Sequence, residues 1–396
     1  MYKVLFFCLL SFFLMAGNKC FDPDKELRYC NDKTLRNLEI LQDYNKHPRS
    51  VSTNSKKWEC VAADDWTSGF WTGLLWYNYE FSKNEIFKVK AESFMQSLRP
   101  LAFSRARDHD LGFQIFCSYG NAYRITHNPQ YKEVILAAAD TLATLYNPRT
   151  GTICSWPAMI KMKDWPHNTI IDNMMNLELL FWASKNGGSH TLYDIALRHA
   201  TVTMNNHFRN DYSAYHVVLY DTLTGEKIKG ITHQGYSDGS MWARGQTWAI
   251  YGFTMCYRET HNKAFLDIAQ KAANVYLKLL PGDYVPLWDF DTASQPGSPK
   301  DASAAAVAAS ALLELSQLLK DSNQVSSRTY EEAAKKMLIS LSGVNYQSRE
   351  TNCALLLHST GHKPANKEID ASIIYADYYY MEALIRLKKI LEGKSI

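Results

Sequence analysis

Two aspartates, Asp110 and Asp172, stand where apolar runs begin after loops rich in Trp, His and Gly. Their surroundings read His109-Asp110-Leu111-Gly112-Phe113 and Ile170-Ile171-Asp172-Asn173-Met174-Met175-Asn176. An Asp at a helix start is ordinarily an N-cap, its carboxylate held ionised by amide N–H groups and the helix dipole. Asp301, in Lys300-Asp301-Ala302-Ser303, fits that role. Asp172 fits it less well, because Thr169-Ile170-Ile171 and Met174-Met175 put its carboxyl in an apolar rim. Desolvation and a second carboxylate both raise a carboxyl pKa, which is what a general acid requires. Asp110 is the second carboxylate, provided the fold sets the two helix starts side by side.

Other residues at such junctions add binding chemistry. His109, His216 and His233 are each, taken alone, more often structural hydrogen-bonders than ligands. Arg244 precedes Trp248 by one turn in Trp242-Ala243-Arg244-Gly245-Gln246-Thr247-Trp248. Facing inward, the pair offers a guanidinium fork and a stacking ring, suited to a carboxylated sugar; facing outward, Arg244 is a surface ion pair. Further clusters are Asp65-Trp66-Thr67-Ser68-Gly69-Phe70-Trp71, Trp156-Pro157, His233-Gln234-Gly235 and Trp288-Asp289-Phe290-Asp291. With 10 Trp, 24 Tyr and 17 Phe, the chain has rings enough for both a core and a cleft.

Several function classes are excluded. A net charge of +3 without a basic block argues against nucleic acid as a partner. No GxSxG, Walker loop, HExxH or GxGxxG stands in a matching context. Beyond Cys8, the cysteines (Cys20, Cys30, Cys60, Cys117, Cys154, Cys256, Cys353) lack CxxC or Cys/His spacing, so no metal site is expected. Cys20–Cys30 and Cys30–Cys60 bridges are both conceivable, while Cys117 and Cys256 sit on apolar helical faces as core residues.

The elements that must position these residues are helical. Apolar periodicity marks segments near 34–46, 68–82, 84–99, 110–126, 129–145, 172–185, 190–207, 241–259, 262–279, 301–319, 327–342 and 370–391. Asn84, Asn128 and Asn262 are expected caps, Pro129 a first helical residue, and Pro100 and Pro281 stops. Between 207 and 237 the period changes to that of a hairpin. The helices pair, first members starting near 68, 110, 172, 241, 301 and 370 after the longer loops. Such an array closes as a double ring, an all-α (α/α)6 barrel, with the loops gathered at one mouth. Residues 1–17 read as an export signal: Lys3, then the apolar run Val4 to Met15, too short to span a bilayer, then Ala16-Gly17. Processing to residue 19 with a lipid anchor on Cys20 is the alternative, and the destination is periplasmic. Residues 18–33 are expected to be an N-terminal extension and 34–396 one catalytic domain, with no further stretch apolar enough to cross a membrane.

Taken in order, these stretches resemble the unsaturated glucuronyl hydrolases of glycoside hydrolase family 88. The resemblance rests on Gly69-Phe70-Trp71-Thr72-Gly73-Leu74-Leu75-Trp76, His109 to Phe113, Ile171 to Leu177, Tyr215-His216-Val217-Val218, His233-Gln234-Gly235, and Trp242 to Trp248. Gly361-His362-Lys363-Pro364 and Ile374-Tyr375-Ala376-Asp377-Tyr378-Tyr379 complete it, so it spans about residues 66–385. It implies an (α/α)6 barrel that hydrolyses Δ4,5-unsaturated uronic acids left by lyases on chondroitin, hyaluronan or heparin fragments, without cofactor or metal. By the same likeness Asp172 is the acid/base, and Asp110 holds substrate hydroxyls and helps keep Asp172 protonated. Trp71, with Trp66 able to take its place, lines the site with His109, Trp156, His216, His233, Gln234, Arg244 and Trp248. Lys363 meets a charged group on the neighbouring sugar. The nearest alternatives are a rhamnogalacturonyl-type hydrolase acting on pectin fragments and a non-catalytic glycan-binding lipoprotein.

Overall fold

The computed structural model describes residues 21–396. The expected export signal and Cys20 lie outside the described residues. In chain order the α-helices are α1 (Pro23–Ile40), α2 (Ser68–Ser82), α3 (Glu85–Ala102), α4 (Asn121–Thr126), α5 (Pro129–Ala143), α6 (Met159–Met162), α7 (Asn173–Lys185), α8 (His190–Asn206), α9 (Ala243–Thr260), α10 (Lys263–Leu279), α11 (Ala302–Leu319), α12 (Gln324–Leu341) and α13 (Ile374–Leu391). A π-helix, Gly112–Gly120, runs straight into α4.

Helix packing closes two rings. The inner one passes from α2 to the π-helix, α7, α9, α11 and α13, and α13 returns to α2. Behind these lie α3, α5, α8, α10, α12 and α1 respectively. The division follows from sequence: α9 is buried without a break from Ala243 to Cys256, and α11 from Ala302 to Ser316. A helix apolar on every side must sit inside, whereas the outer helices bury one stripe each. All inner helices point their N-termini toward one end, where the long loops gather.

Asn84, Asn128 and Asn262 cap as expected, accepting from the amides of Ile86, Gln130 and Ala264. Four details differ from expectation. First, α1 begins at Pro23, capped by Asp22, and buries Leu27 and Cys30 completely, so residues 23–33 are part of the barrel and not an extension. It is the outer partner of the last helix and completes the ring. Second, Pro100 lies inside α3, in its last turn, where little of the hydrogen-bond ladder remains to be broken. Third, α11 is long and apolar enough to cross a membrane, yet it is a buried inner helix. Fourth, Cys30 and Cys60 carry free thiols, so they form no mutual bridge.

The hairpin is present as β2 (Val217–Tyr220) and β3 (Lys227–Ile231), joined by β1 (Asn168–Ile170) into an antiparallel sheet in the order β1-β2-β3. This sheet leads directly into Asp172 and fixes the start of α7, through the amide of Ile171 donating to the carbonyl of His216 at 2.9 Å.

Candidate active site

At the mouth, Asp110 and Asp172 are 6% and 8% exposed. Neither carboxylate caps its helix. They belong to adjacent inner-ring elements, and the charge of Asp172 acts on Asp110. Each has a histidine beside it: His109 Nε2 lies 3.4 Å from Asp110 Oδ1, and His216 Nε2 lies 3.6 Å from Asp172 Oδ2.

Hydrogen bonds to Nδ1 set the tautomer of both imidazoles. His216 Nδ1 accepts from the amides of His233 and Gln234 at 3.2 and 3.1 Å, which leaves the proton on Nε2, toward Asp172. The Asn176 side chain does the same for His109. Its Oδ1 accepts the Phe113 amide at 2.9 Å, which turns its Nδ2 toward His109 Nδ1 at 3.2 Å. Burial holds both rings neutral, His109 pushed down to about 3 and His216 far below its ordinary range. Two aspartates are thus each faced by an uncharged N–H. The close seating of the two helix starts depends on Gly112, because a Cβ there would run into Asn176. Gly69 of α2 likewise leaves room for the backbone at Phe113 and Gln114.

Burial raises the Asp172 carboxyl to about 7, and the Arg244 charge opposes that only in part. Asp110 is pushed well above the carboxylate range by burial and then by Asp108, Asp172 and Asp65. Among the described residues no lysine or arginine reaches ion-pair distance of either. Desolvation accounts for the raised Asp172, without a contribution from Asp110, and Asp110 is itself pushed up, first by burial and then by its acidic neighbours.

Trp156 is the hub of the pocket. Its ring meets His109, His216 and His233 edge-on at 6.4, 5.8 and 5.4 Å and stacks on Trp165 at 6.4 Å. Gln234 Nε2 donates to the Gly361 carbonyl at 3.2 Å, and His362 Nε2 meets the His233 carbonyl at 2.9 Å, so the 358–370 loop is fastened over this wall. Lys363 lies on that loop with its ammonium 5.5 Å from the Trp288 ring centre.

Three expected contacts are relocated. Trp71 is buried against Phe94 of the outer helix α3, whereas Trp66 sits partly exposed among Phe70, Phe113 and Tyr375, so the mouth residue is Trp66. Trp248 is fully buried between Phe113 and Tyr379 and has no free face for a sugar; its indole N–H is turned toward Asp172 from below. Arg244 is neither a surface residue nor a free fork. Its guanidinium donates to Asp301 at 2.8 Å and to the carbonyls of Thr360 and Gly361 at 2.5 and 2.7 Å, between the rings of Trp242 and Tyr375. Asp301 caps α11 through the Ser303 amide, as expected, but also holds this buried charge.

Sequence reasoning missed Asn176 as the residue that orients His109, Trp242 as the ring under His216 at 4.4 Å, and Trp165, His362 and Tyr375 as parts of the wall. Asn176 and Trp242 stood inside quoted motifs, and their nearness to Asp172 and Arg244 was the available signal. No cluster of metal-ligating side chains occurs among the described residues.

Carboxyls with raised pKa values set among indoles at the mouth of a helical double ring define a barrel enzyme acting on carbohydrate. More narrowly, the chain belongs to Glycosyl Hydrolase Family 88, whose sequence pattern matches residues 35–390. It is 42% identical over 352 residues to an unsaturated glucuronyl hydrolase of Formosa agariphila, covering 88% of this chain and 86% of that protein. An unsaturated chondroitin disaccharide hydrolase of Streptococcus pyogenes serotype M1 is 33% identical over 377 residues, 93% of each. Among solved structures, an unsaturated glucuronyl hydrolase specific for heparin superposes with a TM-score of 0.88 at 40% identity, covering 94% of this chain and 99% of that one.

Proposed function

We propose that this glycoside hydrolase releases the terminal Δ4,5-unsaturated uronic acid from lyase-generated glycosaminoglycan oligosaccharides by hydrating the ring vinyl ether. The observation that carries the reading is Asp172, buried, uncapping and raised to about 7. An acid/base near neutrality can both give a proton and take one back, which this reaction demands. Asp172 delivers its proton to C4, and its carboxylate then accepts a proton from the water that adds to C5. The hemiketal opens at the ring oxygen and frees the next sugar together with a 4-deoxy-5-keto uronic acid. Because the glycosidic bond is not attacked first, carboxylate spacing does not predict retention or inversion. Asp110, holding its own proton, donates to substrate hydroxyls. His109 offers its Nε2 proton beside Asp110 and His216 its own beside Asp172, and Trp156 and Trp66 supply ring faces. Lys363 pairs with a sulfate or carboxylate on the second sugar.

The test is incubation of the mature protein with unsaturated disaccharides from chondroitin, hyaluronan, heparin and pectin lyases, following loss of the double-bond ultraviolet absorbance. Turnover of the first three supports the reading. Absorbance unchanged with every substrate would refute it, and turnover of the pectin product alone would redirect it. Equal loss of rate for sulfated and unsulfated substrates in Lys363→Ala would remove the role given to that lysine. The reading includes export to the periplasm, supported by Lys3 and the Val4 to Met15 run. N-terminal sequencing of the protein recovered from the periplasm checks that part, and an intact Met1 on cytoplasmic protein would refute it.

A further inference from the structure

The chain between Trp156 and Asn168 is a loop closed at its neck. The Trp156 amide donates to Asn168 Oδ1 at 2.9 Å, and Asn168 Nδ2 donates back to the Trp156 carbonyl at 3.0 Å. The single helical turn in this loop, α6, ends where the Lys163 amide donates to the Met159 carbonyl at 3.0 Å. That turn sets the exposed Lys163 at the lip of the site. Its ammonium lies 3.3 Å from His233 Nδ1 and 5.2 Å from the centre of the Trp165 ring, which itself stacks on Trp156. Among the described residues no carboxylate pairs with it. An ammonium can only donate, so His233 Nδ1 accepts and the imidazole proton sits on Nε2. Burial first, then the charges of His362 and Lys163, keeps that ring neutral and able to accept. Lys163 therefore stands at the outer end of a row that runs inward through His233 and His216 to Asp172.

The guanidinium nearest the site is engaged. Arg244 gives its donors to Asp301 and to the carbonyls of Thr360 and Gly361. A uronyl substrate brings a carboxylate, and a glycosaminoglycan fragment adds sulfate esters; each of these oxyanions must exchange water for a protein donor on entry. The geometry points to Lys163 as a specificity-determining residue that binds an oxyanion of the substrate, a carboxylate or a sulfate ester, at the outer edge of the sugar lying along Trp156. The inference rests on the reading of this site as one for an unsaturated uronyl oligosaccharide. His233 uses one of the three N–H groups of the ammonium, which leaves two for an incoming oxyanion. The imidazole and the indole hold the ammonium without neutralising it, and they restrict a flexible side chain before the substrate arrives.

Lys163→Gln removes the charge from an exposed position, so the melting point should hold. Kinetics are measured on the unsaturated disaccharides that the wild type turns over: unsulfated, sulfated on the uronyl ring, and sulfated on the hexosamine. KM is expected to rise about five- to tenfold with kcat little changed, and the rise should shrink in high salt. Lys163→Arg should restore most of the loss, because it returns the charge. A rise confined to one sulfated disaccharide assigns that sulfate as the oxyanion. An equal rise on every substrate, screened by salt, assigns the carboxylate that all of them share. KM values unchanged on every substrate overturn the inference and leave the proposed function standing. So does a fall in kcat at unchanged KM, which would give Lys163 only the support of His233. A wild type inactive on all unsaturated disaccharides overturns the function itself.

Discussion

Replacing Asp301 by Asn is the sharpest probe of how the mouth is held together. Read as a cap alone, Asp301 contributes about 1 kcal/mol. The structure adds an ion pair with Arg244 whose side chains are 0% and 1% exposed. Breaking a buried pair from one side costs about 3–5 kcal/mol, because the surviving charge stays desolvated. Asn retains the cap to Ser303, so the variant isolates the pair; Asp301→Ala should lose about 1 kcal/mol more. For 396 residues at about 2.1 cal/mol/K each, the unfolding entropy is roughly 0.8 kcal/mol/K, so the Asn variant should melt about 4–6 °C lower. The chemistry should respond as well. The Arg244 charge already lowers the Asp172 pKa, and without Asp301 it acts unopposed. The carboxyl must then ionise at lower pH, so the activity optimum shifts acidward. Denaturant or thermal unfolding and a kcat/KM–pH profile are the two assays. A loss below about 1 kcal/mol with an unmoved optimum would show that the buried pair neither holds the 358–370 loop nor tunes the acid.

Asp172→Asn should lower kcat by about 10²–10⁴-fold while disaccharide binding survives, read by calorimetry against turnover. The same variant should be more stable than wild type at pH 7. A carboxyl at about 7 when folded and 3.8 when unfolded is favoured in the fold below pH 4 and loses that advantage as pH rises to 7. Asn is spared that loss, on the order of 4 kcal/mol at most, and a lower melting point for Asp172→Asn at pH 7 contradicts the desolvation account. Wild-type kcat/KM should fall about tenfold per pH unit above 7, as the acid form is lost; a flat profile to pH 9 excludes Asp172 as the donor. Gly112→Ala should cost about 1–3 kcal/mol and reduce kcat, because its Cβ displaces Asn176 and with it His109; unchanged unfolding and activity would show that the seam has slack.

Much of this arrangement was legible beforehand. The starts of α2, α7, α9, α11 and α13 follow from loops that end where apolar runs begin, and closure of the ring follows from their pairing. Asp172 stood out because its neighbours are apolar, which is the condition that raises its pKa in the fold. Three-dimensional direction was not legible. Trp66 and Trp71 lie close in sequence, yet one faces Tyr375 at the mouth and the other Phe94 in the outer ring. The partners of Arg244 are 57, 116 and 117 residues away, so no local pattern shows that its donors are occupied. The early start of α1 was hidden by its polar composition, since only Leu27, Cys30 and Leu38 mark its apolar stripe.

The π-helix has a consequence for heredity as much as for shape. An α-helix advances about 100° per residue, so deleting one residue within Gly112–Gly120 would convert the wide turns to ordinary ones and swing Asp110 about a quarter-turn from its partner. The nine-residue stretch is therefore tolerant of substitution on its outer side but intolerant of any change in length. A library of single-codon deletions should fall silent across it.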